Sequence, residues 1–212
     1  MKIEKLVTSG VFRLDGGEWE VDNNVYLLAS VDEEGSKEEV IIVDPSHDAE
    51  AVYAAVGDRN VQCVLLTHAH NDHCELAPAV ASHYGVEVYL HPDDQPLWEE
   101  TNGNAAYTPL HDGQQFVLGG EYVSIRHTPG HSPGCVVAYV ASEDTLLSGD
   151  TLFNGGPGAT GRKYSSFETI IASLKEKVFT LPADTRVLPG HGDETTVGAE
   201  AARIDEYIAR GY

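Results

Sequence analysis

Seven residues, Thr67-His68-Ala69-His70-Asn71-Asp72-His73, limit what this chain can fold into more than any other stretch. They follow Val61-Gln62-Cys63-Val64-Leu65-Leu66, a short apolar run rich in strand formers that ends abruptly in polar residues. Three imidazoles and a carboxylate crowd into six positions, a density of ligand atoms that packing does not require. His68 and His70 are two apart, so on an extended exit from the strand they project to the same side. Asp72 and His73 are adjacent, and a turn there presents them toward a different point. The spacing thus offers two ligand pairs for two neighbouring metal ions. Imidazole nitrogen with carboxylate oxygen suits zinc, and also iron or manganese. A polar loop with coincidental histidines is the plainer alternative, and the position at a strand end argues against it.

The 212 residues fit one large domain or two tightly fused halves, with ample length to bury a core, and with no linker in sight a single domain spanning 1–212 is expected. The chain carries 13 Lys+Arg against 34 Asp+Glu, a formal net charge of -21. Such a surface disfavours nucleic acid or an anionic membrane as partner, because both need a basic footprint. Most of the acidity reads as a solvated surface suited to a salty cytosol. The first residues, Met1-Lys2-Ile3-Glu4-Lys5-Leu6-Val7, lack the apolar segment of a signal peptide, and no run approaches a membrane span. Cys63, Cys74 and Cys135 are odd in number and widely separated, which is no disulfide framework. A reducing cytoplasm is the expected setting. Cys74 follows His73 directly, but its neighbours read as a helix start, so a buried thiol is expected rather than a thiolate ligand.

Strand and helix patterns alternate along the chain. Strands are expected at 7–14, 25–31, 38–43, 61–66, 86–90, 122–127, 135–140, 145–147 and 186–188, with Asp15-Gly16-Gly17 turning the first pair. Helices are expected at 49–56, 75–84, 167–178 and 199–209, with some helix around Leu97 in an otherwise unassigned polar segment from 91 to 113. The first half is strand-rich and ends in strand–helix units, and the second half repeats that progression. The expected class is therefore α/β (α+β), with two sheets face to face and helices on both outer faces.

Three later loops supply further donors. Thr128-Pro129-Gly130-His131-Ser132-Pro133-Gly134, Ser148-Gly149-Asp150-Thr151 and Pro189-Gly190-His191-Gly192 each follow a short apolar strand. Glycine beside His131, Asp150 and His191 lets backbone approach an ion closely, and rigid strand ends hold the side chains in place.

This ordered set, His68-x-His70-x-Asp72-His73, His131, Asp150 and His191, resembles the metallo-β-lactamase superfamily over nearly the whole chain. Within it the chain looks most like the glyoxalase II (hydroxyacylglutathione hydrolase) branch. The resemblance implies a four-layer αβ/βα sandwich with metals at one edge of the two sheets. It implies one ion held by His68, His70 and His131, a second by Asp72, His73 and His191, and Asp150 bridging both. Catalytic roles fall to Asp150 and to Asp72, the latter as proton acceptor if the second site were empty. A water shared between two such ions deprotonates near neutral pH, and the same ions polarise the substrate carbonyl. The implied cofactors are two divalent ions, zinc first, with iron or manganese as alternatives. A small-molecule thioester is the favoured substrate, because its thiolate leaving group needs little protonation.

The chain departs from glyoxalase II after His191, where only enough sequence for one helix follows and the branch's helical glutathione-binding domain is not matched. Recognition of the thiol half is then expected from Arg162, Lys163 and Tyr164, a cationic spot in the Gly-rich segment after Asp150. A solvated turn with incidental charges is the alternative there. Asp44, ending the run Val40-Ile41-Ile42-Val43, is expected either to orient a ligand histidine or to cap the next helix. His47, His83, His91, His111 and His127 show no comparable spacing and read as surface or core residues. Three competing functions stand beside thioester hydrolysis. One is a mononuclear iron persulfide dioxygenase using His68, His131 and Asp150; another is a lactonase or β-lactamase; the third is a metal-stabilised binding domain. Seven donors leave open coordination positions, which disfavours the last.

Overall fold

The computed structural model describes residues 1–14, 16–30 and 38–211. The chain opens with a long antiparallel hairpin, β1 (Lys2–Leu14) and β2 (Gly17–Ala29). Asp15 of the expected turn and Val31 of the expected strand lie outside the described residues. The first sheet continues through β3 (Glu39–Val43), α1 (Ala49–Val56), β4 (Asn60–Leu65), α2 (Asn71–Cys74), α3 (Ala77–Tyr84), β5 (Glu87–Leu90), α4 (Gln95–Asn102) and β6 (Thr108–Pro109). Its strands lie in the order β1-β2-β3-β4-β5-β6, with β3, β4, β5 and β6 parallel. The second sheet takes β7 (Gln115–Leu118), β8 (Glu121–His127), β9 (Val136–Val140) and β10 (Thr145–Gly149). A small ribbon of β11 (Leu152–Phe153) and β12 (Gly156–Pro157) follows, then α5 (Phe167–Ser173), β13 (Arg186–Pro189), β14 (Thr195–Thr196), α6 (Val197–Ala201) and α7 (Ile204–Arg210). The order in this sheet is β14-β13-β10-β9-β8-β7.

Side-chain alternation sorts the strands into separate cores. Tyr26, Leu28, Ile41, Val43 and Leu65 meet Val123, Ile125, Val136, Ala138, Leu147 and Leu188 between the two sheets. Their neighbours Leu27, Val40, Ile42 and Val64 face outward onto Val52, Val80 and Trp98 of α1, α3 and α4. On the far side Val137, Leu146 and Val187 pack beneath Ile170, Ile171 and Leu174. Strands buried on both faces read as continuous apolar runs, which is why 40–43 and 61–66 are so uniformly hydrophobic. The result is the expected four-layer αβ/βα sandwich. Among the described residues no helix is long and apolar enough to cross a membrane.

Several boundaries differ from expectation. The helix expected over 75–84 starts only at Ala77, because Pro78 lacks an N–H and fits only the first turn of α3, and a separate short helix precedes it. Asp72 and His73 therefore ride on their own short helix, α2. The helix expected over 167–178 passes into a π-helical turn at Leu174–Val178. The helix expected over 199–209 is split where Arg203 leaves helical geometry (φ -107, ψ 6). Strand β7 was not expected; its signal is the Gly119-Gly120 turn, both at positive φ, that folds it onto β8.

Candidate metal centre

The donors converge because the ends of β3, β4, β8, β10 and β13 gather at one edge of the sandwich. The Val136 N–H donates to Thr67 O (2.8 Å) and the Asn24 N–H to Gly190 O (2.7 Å), stitching the two sheets together there. Gly190 is required at this seam, since a Cβ would lie 2.5 Å from Asp150 Oδ1 and 2.7 Å from the His73 ring.

Two groups of donors form. His70 Nδ1 lies 3.0 Å from His68 Nε2 and 2.9 Å from His131 Nε2. His191 Nε2 lies 3.2 Å from His73 Nε2 and 3.3 Å from Asp72 Oδ2. Asp150 stands between them, with Oδ2 at 3.4 Å from His131 Nε2 and Oδ1 at 3.5 Å from His73 Nε2. All seven sequence-predicted donors are thus brought together, six of them buried and His191 partly exposed.

The hydrogen-bond network assigns the tautomers. His131 Nδ1 donates to Ala159 O (2.7 Å), His191 Nδ1 to Asp22 O (2.8 Å) and His73 Nδ1 to Asp44 Oδ2 (3.0 Å). The Thr67 hydroxyl donates to Asp44 Oδ2 (2.5 Å), so it accepts from His68 Nδ1 (3.1 Å). Each of these four imidazoles therefore turns its Nε2 inward, the arrangement that orients a metal-bound histidine once that nitrogen is free of its proton. Asp150 Oδ1 is buried and has no hydrogen-bond partner. A buried carboxylate oxygen without a hydrogen bond, set among inward-facing ring nitrogens, is costly unless a cation sits there. The donor set fits divalent ions.

Electrostatics divide the two groups. Burial pushes His68 well below its ordinary value, His70 down to about 3 and His131 to about 4, keeping all three neutral. Burial also opposes charge on His73 and His191. The carboxylates around them outweigh it, raising His191 and lifting His73 to about 10. Burial likewise opposes ionisation of Asp72, but His73, His191 and Asn23 together hold its carboxyl below the usual range. A carboxylate that acidic suits a ligand better than a general base.

Asp44 orients His73; the cap of α1 is Asp48, which accepts from Ala51 N (2.9 Å). Cys74 is buried, its thiol pKa pushed up by burial, and it donates toward Ala69 O (3.4 Å), as expected of a packed thiol. Three supporting residues carried no local signal. Asn23 donates to Asp72 O and Oδ2 (3.0 and 3.1 Å), and His47 bonds to Asn23. Fully buried Asp94 accepts from Ala69 N, Ser132 Oγ and Gly134 N, tying the His68–His70 loop to the His131 loop.

A cavity of about 370 Å³ over the donors is walled by Phe12, Asp72, Asp150, Phe153 and Arg162. It adjoins a groove of about 600 Å³ bounded by Phe12, Leu97, Glu100, Arg162 and Lys163. Arg162 belongs to both, its guanidinium 5.0 Å above the Phe12 ring. Lys163 is paired with Glu100 at 2.8 Å. Tyr164 is 41% exposed and is not on the wall of either cavity.

The sequence model of the metallo-beta-lactamase superfamily matches residues 19–191, so the chain belongs to that superfamily of metal-dependent hydrolases. Among its relatives is the probable metallo-hydrolase YqgX of Bacillus subtilis, 33% identical over 85% of this chain and 90% of that one. Hydroxyacylglutathione hydrolase GloC of Haemophilus influenzae is 33% identical over 75% of this chain and 82% of its own length. The crystal structure of TTHA1623 in a di-iron-bound form superposes with a TM-score of 0.74 at 34% identity, covering 85% of this chain and 93% of that one.

Proposed function

We propose that the protein hydrolyses a small-molecule thioester carrying a negative charge on its thiol half, with two divalent ions held as the donors are grouped. His68, His70 and His131 would hold one ion, Asp72, His73 and His191 the other, and Asp150 would bridge them. Bound ions would supply Lewis acidity toward the thioester carbonyl and acidify a shared water. The observation that carries this reading is Asp150, whose buried Oδ1 accepts no hydrogen bond and whose carboxylate stands between two sets of inward imidazole nitrogens. The likeness to GloC supports a thioester, and the di-iron form of TTHA1623 keeps iron beside zinc as a candidate metal.

The chain's own residues do the rest. Asp44, Thr67 and the Ala159 and Asp22 carbonyls keep the imidazoles turned inward. Phe12 and Phe153 form apolar walls that limit water at the reacting carbonyl. Arg162 offers a planar fork to a carboxylate at the junction of cavity and groove, while its face rests on Phe12. Lys163, already paired with Glu100, and exposed Tyr164 contribute less to the substrate site than Arg162. The partner is thus a small anionic molecule.

Arg162→Ala is expected to raise KM for an anionic thioester by about tenfold or more, the scale of a lost charge-assisted bond. A short neutral thioester should be cleaved as before, and metal content should not change. Equal KM values for anionic thioesters in both proteins would place recognition elsewhere in the groove.

A further inference from the structure

His47 sits outside both donor groups, yet only Asn23 stands between it and Asp72. Its Nε2 lies 2.8 Å from Asn23 Oδ1, which can only accept, so His47 donates. The Asn23 amide nitrogen then has one orientation left. It donates to Asp72 O at 3.0 Å and to Asp72 Oδ2 at 3.1 Å, and lies 3.3 Å from His73 Nε2. A flipped amide would press its oxygen against the Asp72 carboxylate, and Asn23 is fully buried, so no water would relieve it.

The fold goes out of its way to place this imidazole. His47 has a φ of 56, the left-handed region that side chains rarely adopt. Strand β1 makes room for its ring at Gly10, where a Cβ would come within 2.1 Å of His47 Nδ1. His47 lines a separate recess of about 290 Å³ with Ser46, Arg13 and Glu75, away from the cavity over the donors. The same short segment carries Asp44, also at positive φ, which holds His73 Nδ1. Residues 44–47 therefore reach two members of the Asp72–His73–His191 group, one directly and one through Asn23.

We infer that His47, acting through Asn23, is a positioning residue for the Asp72 carboxylate and sets the metal affinity of the Asp72–His73–His191 group selectively. The inference rests on the dinuclear reading above. Among the described residues neither His47 nor Asn23 hydrogen-bonds to His68, His70 or His131, and the nearest route to that group is the packing of His73 on His68, so that group should feel its loss far less.

The test is a zinc titration of metal-stripped protein against a chromophoric chelator, which reads two binding constants without any substrate. His47→Ala should weaken one constant about 10- to 100-fold, the scale for losing a partner that orients a ligand, and leave the other unchanged. His47→Gln should restore it, because its amide N–H can donate to Asn23 Oδ1. Gly10→Ala should reproduce the loss by crowding the ring, with residue 47 still histidine. Two unchanged constants in His47→Ala would overturn the inference, as would an equal weakening of both, which indicates general loosening of the fold. A wild-type chain that binds a single ion would fail the dinuclear reading itself, and the inference with it.

Discussion

Asp150→Ala is expected to drop the metal content to one ion or none and to abolish turnover, while the sandwich stays folded. Among the described residues the carboxylate is the only side chain whose two oxygens approach both donor groups, at 3.4 Å from His131 Nε2 and 3.5 Å from His73 Nε2. On the dinuclear reading, its loss would remove a ligand from each ion at once and leave the two ions unscreened from one another. Losing a residue that merely supports a ligand costs about 10- to 100-fold in affinity, so loss of the bridging ligand should cost more. Folding should survive because Asp150 Oδ1 has no hydrogen-bond partner to abandon and β10 is held by Leu146 and Leu147 on its two faces. Metal analysis and circular dichroism of the variant check both halves. Two ions retained with wild-type activity would remove Asp150 from the bridging position.

The second large effect is with pH. His68, His70 and His131 are buried and resist protonation, their folded values lying below the ordinary 6.5, with His70 at about 3 and His131 at about 4. The unfolded chain takes up these protons first, so stability present above about 6.5 is lost as pH falls toward 3. His73 and His191 behave oppositely in the metal-stripped chain. Their raised values contribute stability below 6.5 that is lost as pH climbs through about 10 for His73. Metal-stripped protein should therefore be most stable near neutrality. Ion binding at the Asp72–His73–His191 group must expel a proton, about one or more per chain near pH 7, which calorimetry in buffers of different ionisation enthalpy reads directly. Loaded protein should lose metal and activity together on acidification. Proton-neutral binding at pH 7, or metal retained well below pH 5 with full activity, would contradict these assignments.

The donors were legible in the sequence because each ends a short apolar strand, and four of them crowd into residues 68–73. The layering was legible for a related reason: 40–43 and 61–66 are apolar on both faces, which only a covered sheet explains. Their supports were not legible. Asn23 reaches Asp72 across 49 positions and Asp94 reaches Gly134 across 40, and no local spacing rule connects such pairs. His47 read as an ordinary surface or core histidine, since its role depends on Asn23 and on the space left at Gly10. Asp44 stood between capping and orienting until Asp48 proved to hold the cap. The cationic trio also divided only in three dimensions, where Glu100 engages Lys163 and leaves Arg162 facing the cavity.

The most direct measurement is the metal content of protein purified without added metal, read alongside turnover of an anionic thioester by the same sample. Two divalent ions per chain, with thioester cleavage that disappears on chelation and returns on reloading, is the expected result. One iron per chain with oxygen consumption on a persulfide, and no thioester cleavage, would contradict it.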